Sequence, residues 1–233
     1  MTTILRIDAS VRQADTSSNK HTSISKSLAN TFIQQWQQFD NQVKVIHRDL
    51  AKQPVGFIDQ DWLSAVFTPE NKRSDAQHKL LSLSDTLIDE LTQADLILIS
   101  SPMYNYGMPA SLKAWFDQVI RVNKTFSFDL KRGDFPLEPI LSGKQMVLLT
   151  STGEFGFEKG GIREHMNHLS PHVRTLGHYL GTESFHEVRA EYQEFGDQRH
   201  QQSVETAFAN TARLAELLCG KDKQALDITS MFG

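Results

Sequence analysis

Apolar residues along this chain fall into two alternating rhythms. Short β-rich runs, drawn at Ile4 to Ala9, Val43 to Arg48, Asp95 to Ser100, Gln145 to Thr150 and Ser184 to Val188, read as strands. The stretches between them follow a helical period. Over Ser25 to Trp36, four-residue steps put Leu28, Phe32 and Trp36 on one face, and Leu80 to Leu91 is read the same way with Leu80, Leu87 and Leu91. Strands that alternate with helices predict an α/β fold in which a parallel sheet carries helices on both faces.

Five strands and five helices in this order match the three-layer flavodoxin-like plan, a five-stranded parallel sheet of order 2-1-3-4-5. Its switch point lies between the first and third strands, so a ligand is expected at the turns after Ala9 and after Ser100. Three connections exceed the usual short links: 49–78, 121–143 and 153–163. Their aromatics, Phe57, Trp62, Phe67, Phe126, Phe128, Phe135, Phe155 and Phe157, argue against disorder. They suit the wall of a ligand site or a subunit interface, or else satellite hydrophobic clusters.

The second of those turns is the most informative segment. Leu96-Ile97-Leu98-Ile99 runs into Ser100-Ser101-Pro102-Met103-Tyr104-Asn105-Tyr106-Gly107, and Leu112-Lys113-Ala114-Trp115-Phe116-Asp117 then reads as a helix. Two tyrosines and an amide on a backbone opened by Pro102, Gly107 and Pro109 can lie against a flat heteroaromatic ring and hydrogen-bond its edge, which points to a flavin. The plainer alternative is a strand-to-helix turn with incidental aromatics.

Composition narrows the field. The 233 residues, 39% hydrophobic, can bury one substantial core, and no repeat or low-complexity block divides them. One domain over 1–220 with a surface tail over 221–233 is expected. A formal charge of −4 without a long run of one sign gives no electrostatic grip for nucleic acid. The N-terminus has no signal-peptide pattern and no stretch approaches the length of a membrane span. The one cysteine, Cys219, excludes an internal disulfide and fits a reducing compartment. The expectation is a soluble, cytoplasmic protein.

After the first strand come Ser10-Val11-Arg12, a polar loop rich in Ser and Thr, and Ser23-Ile24-Ser25 at the start of a helix. Hydroxyls and first-turn amides at a helix N-terminus favour an anion, although Ser23 and Ser25 are equally suited to simple capping. Neither GxGxxG nor a Walker A loop is present, which favours the single phosphate of FMN over FAD or a nucleoside triphosphate. Strand four ends in Ser151-Thr152-Gly153-Glu154, where the glycine lets backbone approach a ligand and its N–H could donate to the pyrimidine end of a flavin.

With Pro102-Met103-Tyr104-Asn105-Tyr106, Leu112-Lys113, Phe116-Asp117, Arg121 and Thr125-Phe126, the chain resembles the FMN-dependent NADH-azoreductase and NADH:quinone oxidoreductase family over roughly residues 3–218. The resemblance implies that Met103, Tyr104, Asn105 and Tyr106 contact the isoalloxazine. It implies further that Ser10, Ser23, Ile24 and Ser25 hold the phosphate, and that Ser151, Thr152, Gly153 and Glu154 lie at the ring's polar edge. It also implies NADH or NADPH as co-substrate, a quinone or azo compound as acceptor, two-electron ping-pong chemistry, and a homodimer with the flavin near the interface. No side chain need act as nucleophile or essential acid. Two departures stand out. The loop from Ser10 to Ser23 is longer than expected, and Thr152 and Glu154 replace the arginine and second glycine of the family's usual Ser-Arg-Gly-Gly turn. An inward-pointing Glu154 would lower the flavin potential.

Other chemistries lack their residues: there is no GxSxG elbow and no HExxH pair. Pro171 breaks the phase of His165, His168 and His172, so a metal site is not expected. A receiver domain would want an acid where Ser100-Ser101 stand, and Asp8 alone cannot build its pocket. The remaining alternatives are a flavodoxin-like electron carrier and a non-catalytic flavin-binding protein.

Overall fold

A computed structural model of the chain describes residues 1–14 and 22–220. Its strands are β1 (Thr3–Asp8), β2 (Lys44–Asp49), β3 (Leu96–Pro102), β4 (Phe126–Phe128), β5 (Leu137–Pro139), β6 (Lys144–Ser151) and β7 (Thr182–Ala190). The helices are α1 (Ile24–Phe39), α2 (Gln60–Phe67), α3 (Asp75–Gln93), α4 (Ala110–Val119), α5 (Ser170–Tyr179) and α6 (Gln198–Cys219).

The main sheet runs β2-β1-β3-β6-β7 with every pair parallel. Counting only its own members, this is the expected order 2-1-3-4-5. Inside each central strand the side chains alternate between two apolar layers. Ile4, Leu96, Leu98, Val147 and Leu149 face Leu28, Phe32 and Trp36 of α1 and Leu214 of α6. Leu5, Ile7, Ile97, Ile99, Met146 and Leu148 face α3, α4 and α5 through residues such as Leu87, Trp115, Phe116 and Val173.

Three expectations need correction. The described residues form six α-helices rather than five, because the 49–78 connection folds a helix of its own. Asp59 caps α2 by accepting from the Trp62 amide at 2.8 Å, and Trp62, Ala65 and Val66 then share a buried face. The 121–143 connection is likewise not plain loop, since β4 and β5 pair antiparallel apart from the main sheet. Finally, Leu80 is exposed and Leu81 buried. The early turns of α3 meet α2 rather than the sheet, so Leu81 packs against Trp62, Ala65 and Val66. The proposed tail, 221–233, lies outside the described residues, as does most of the polar loop before Ser23. Among the described residues no helix is long and apolar enough to cross a membrane.

Candidate functional site

Three turns leave the carboxyl ends of adjacent strands and are tied together by backbone. The Ala9 amide donates to Ser100 O at 2.9 Å, and the Met103 amide donates to Ser151 O at 2.9 Å. Parallel register places Asp8 beside Ser100 and Pro102 beside Ser151. The turns that follow β1, β3 and β6, which carry Ser10, Met103 to Tyr106 and Thr152 to Glu154, therefore adjoin one another.

At the first turn Ser10 is buried, and its Oγ accepts from the Arg12 amide at 3.2 Å. Ser23 is the N-cap of α1, accepting from the Lys26 amide at 3.3 Å, and its amide donates back to Gln13 O at 2.7 Å. The Ser23 and Ser25 hydroxyls lie 3.3 Å apart. The Ile24 and Ser25 amides belong to the first turn, where the helix itself offers no acceptor. This hydroxyl and amide cradle suits a small anion. The nearest lysine on α1 is committed elsewhere: Lys26 Nζ donates to both carboxylate oxygens of buried Asp49 at 3.0 Å.

Beneath that cradle lies a polar web that sequence reasoning did not assemble. Asp8 accepts from Arg6 Nε at 3.0 Å and Nη2 at 2.9 Å, and from Ser100 Oγ at 2.7 Å, and lies 2.8 Å from His47 Nε2. Burial alone would raise the Asp8 pKa, but the bonds from His47, Arg6 and Ser100 outweigh it and hold the carboxyl at about 2. Alternation places Arg6 and Asp8 on one face of β1, so the pair was legible; the contribution of His47 from β2 was not.

At the second turn Tyr104 and Gly107 exchange backbone hydrogen bonds at 3.0 Å each, around Asn105 (φ 49°) and Tyr106 (φ 66°). Both central residues are left-handed, the geometry of a type I′ turn. Met103 packs against the core, whereas Tyr104 and Tyr106 stay partly exposed. The His168 amide donates to Tyr106 O at 2.9 Å and anchors the turn from the segment before α5.

At the third turn Ser151 and Thr152 are buried, and the Thr152 hydroxyl donates to Glu154 O at 2.7 Å. Its side chain thus stabilises the turn and faces inward. Glycine at 153 answers to the chain itself: a Cβ there would fall 2.6 Å from Glu194 Cγ, in the segment after β7. Glu154 is not a lone acid. Arg163 Nε donates to it at 3.0 Å and Tyr106 Oη at 3.0 Å. Arg163 also donates to Phe155 O at 3.1 Å and stands over the Phe155 ring at 4.7 Å. No sequence motif marks Arg163; only the length of its loop does.

A separate cleft of about 890 Å³ opens between α2, the end of α4 and the β4–β5 ribbon, lined by Trp62, Phe67, Ile120, Val122, Phe126 and Phe128 among others. It is mainly apolar and lies outside the three turns.

Comparison with known proteins agrees with this architecture. Residues 2–214 match the family model described as "Flavodoxin-like fold". The FMN-dependent NADH:quinone oxidoreductase 2 of Colwellia psychrerythraea is 59% identical over 218 residues, covering 94% of this chain and all of that protein. The FMN-dependent NAD(P)H:quinone oxidoreductase 1 of Pseudomonas aeruginosa is 35% identical over 216 residues, 92% of this chain and 99% of that one. Among solved structures, an FMN-dependent NADH-azoreductase from Bacillus anthracis in complex with FMN superposes with a TM-score of 0.80 at 20% identity, over 94% of this chain and 100% of that chain, a likeness of fold. The chain belongs to the flavodoxin-like family and, within it, to the FMN-dependent NADH:quinone oxidoreductases.

Proposed function

We propose that this protein is a cytoplasmic FMN-dependent oxidoreductase that takes two electrons from NADH or NADPH and delivers them to a quinone, and also to azo compounds, by a ping-pong mechanism. The observation that carries the reading is the convergence of three dissimilar turns at adjacent strand ends: a hydroxyl and amide cradle, a turn bearing two tyrosines, and a polar turn opened by glycine. FMN, when bound, would supply the redox chemistry of two-electron transfer from the nicotinamide to the acceptor.

The protein's share is position and electrostatics. Ser10, Ser23, Ile24 and Ser25 would hold the phosphate through hydroxyls and first-turn amides, with Lys26 retained by Asp49. Met103, Tyr104, Asn105 and Tyr106 would lie along the ring, on a turn whose left-handed residues lift two tyrosines out of the core. Ser151, Thr152, Gly153 and Glu154 would form the polar edge, with backbone donors held by the bonds of Thr152 and the segment after β7. One ring face left open by the three turns would serve donor and acceptor in turn, the arrangement a ping-pong order requires.

The cleft outside the three turns supports a homodimer. Phe67 and Phe128 line it and are exposed, an apolar grouping that a second copy of the chain would cover.

The test is the visible spectrum of protein incubated with FMN and desalted, then treated anaerobically with NADH and afterwards with benzoquinone. Retained flavin that NADH bleaches and quinone restores supports the reductase. Flavin that NADH leaves oxidised favours an electron carrier, and a colourless protein overturns the flavin reading.

A further inference from the structure

Glu154 and Arg163 stand nine positions apart in sequence, yet their side chains meet at 3.0 Å, and the same carboxylate takes the Tyr106 hydroxyl at 3.0 Å. One carboxylate therefore joins the second turn to the third, and a cation from the following loop neutralises it. The loop is shaped for this contact. Gly156 is left-handed (φ 79°) and its carbonyl accepts the Arg163 amide at 2.7 Å, folding residues 156–163 back on themselves. The Arg163 guanidinium is then fixed on its far side by Phe155 O and the Phe155 ring. The hydrogen bond to Glu154, reinforced by the carboxylate's negative charge, raises the Tyr106 phenol above its ordinary range, and Tyr106 is the donor in that bond.

We propose that Arg163 is a positioning residue for the flavin: it holds the Glu154 carboxylate in a neutralised clasp across the second and third turns, and thereby fixes both the spacing of those turns and the charge felt at the ring's polar edge. The inference rests on the flavin reading above. A bare carboxylate at that edge would oppose electron density arriving on the ring, whereas an ion pair is nearly silent and a bare guanidinium would favour it. The clasp thus makes an acid tolerable beside a redox centre.

The test compares wild type with Arg163→Gln, Glu154→Gln and the double variant. The readouts are the midpoint potential of bound FMN, equilibrated against a reference dye, and the FMN dissociation constant by fluorescence quenching. Arg163→Gln should lower the potential and weaken oxidised FMN about three- to tenfold, the net scale of one ordinary hydrogen bond, because Arg163 acts on the flavin only through Glu154. Glu154→Gln should raise the potential, and the double variant should return close to wild type. Arg163→Lys should restore the potential in part, because it keeps the charge and loses the fork. Single variants whose potentials do not move, or move in the same direction, overturn the proposal, since a merely structural role gives no opposition of sign. Wild type that holds no FMN overturns the flavin reading and this inference with it, whereas FMN held equally by all variants overturns this inference alone.

Discussion

Ser100 Oγ donates to Asp8 Oδ1 at 2.7 Å across 92 residues of chain, joining β3 to β1 where their turns diverge. Asp8 is 1% exposed and Arg6 8%, so the ion pair beneath the turns is shielded from water. Once desolvated, such a pair is costly to break from one side only.

Asp8→Ala should therefore destabilise the protein by about 3–5 kcal/mol, because Arg6 is left charged without its carboxylate. The acid dependence has a definite sign. The folded carboxyl ionises at about 2 and an unfolded aspartate near 3.8. The Asp8 contribution, on the order of 2 kcal/mol, is complete above about pH 4 and disappears as pH falls through 2. Urea unfolding of wild type and Asp8→Asn from pH 6 to pH 2 should show the gap between them closing over that window. A constant gap would remove Asp8 as its source.

The Ser23 and Ser25 hydroxyls, 3.3 Å apart at the head of α1, give the proposed phosphate site a discriminating test. Ser23→Ala/Ser25→Ala should lose about tenfold in FMN affinity or more, while affinity for riboflavin, which lacks the phosphate, changes little. Loss of the cap should cost about 1 kcal/mol in thermal stability. Equal losses for both flavins would place the phosphate elsewhere.

Gly153→Ala puts a methyl group 2.6 Å from Glu194 Cγ. A destabilisation of about 1–2 kcal/mol is expected, and Gly153→Ala/Glu194→Ala should recover most of it. Chemical denaturation of both variants measures the coupling. Failure of the second substitution to restore stability would mean that the glycine is needed for some other contact.

Phe67 is 74% exposed beside the large apolar cleft. Phe67→Glu should keep the circular dichroism of the wild type and lower the sedimentation mass from dimer toward monomer, since a carboxylate resists burial in an apolar interface. An unaltered dimer would move the interface to another face, and a wild type already monomeric would end the dimer proposal.

The sequence by itself determined the sheet and the positions of its three turns. Local hydrophobic period sufficed for β1, β3 and β6, because strands buried on both faces are largely apolar, with β1 interrupted only by the Arg6 and Asp8 pair, and a parallel sheet leaves few orders for them. Leu28, Phe32 and Trp36 were legible for the same reason, being spaced to one face of α1. Period failed where the neighbour of an element was not the sheet. Leu80 and Leu81 are equally apolar, and only the packing of α2 on α3 selects Leu81. The pairing of β4 with β5 is of the same kind, since three-residue strands carry too little pattern to be read alone. At the candidate site the residue types were readable and their partners were not. The second turn is contiguous in sequence, but whether the Glu154 carboxylate is bare or neutralised depends on where a nine-residue excursion returns Arg163, and the approach of Glu194 to Gly153 depends on the segment after β7. Such contacts join residues with no shared period, so only the tertiary structure decides them.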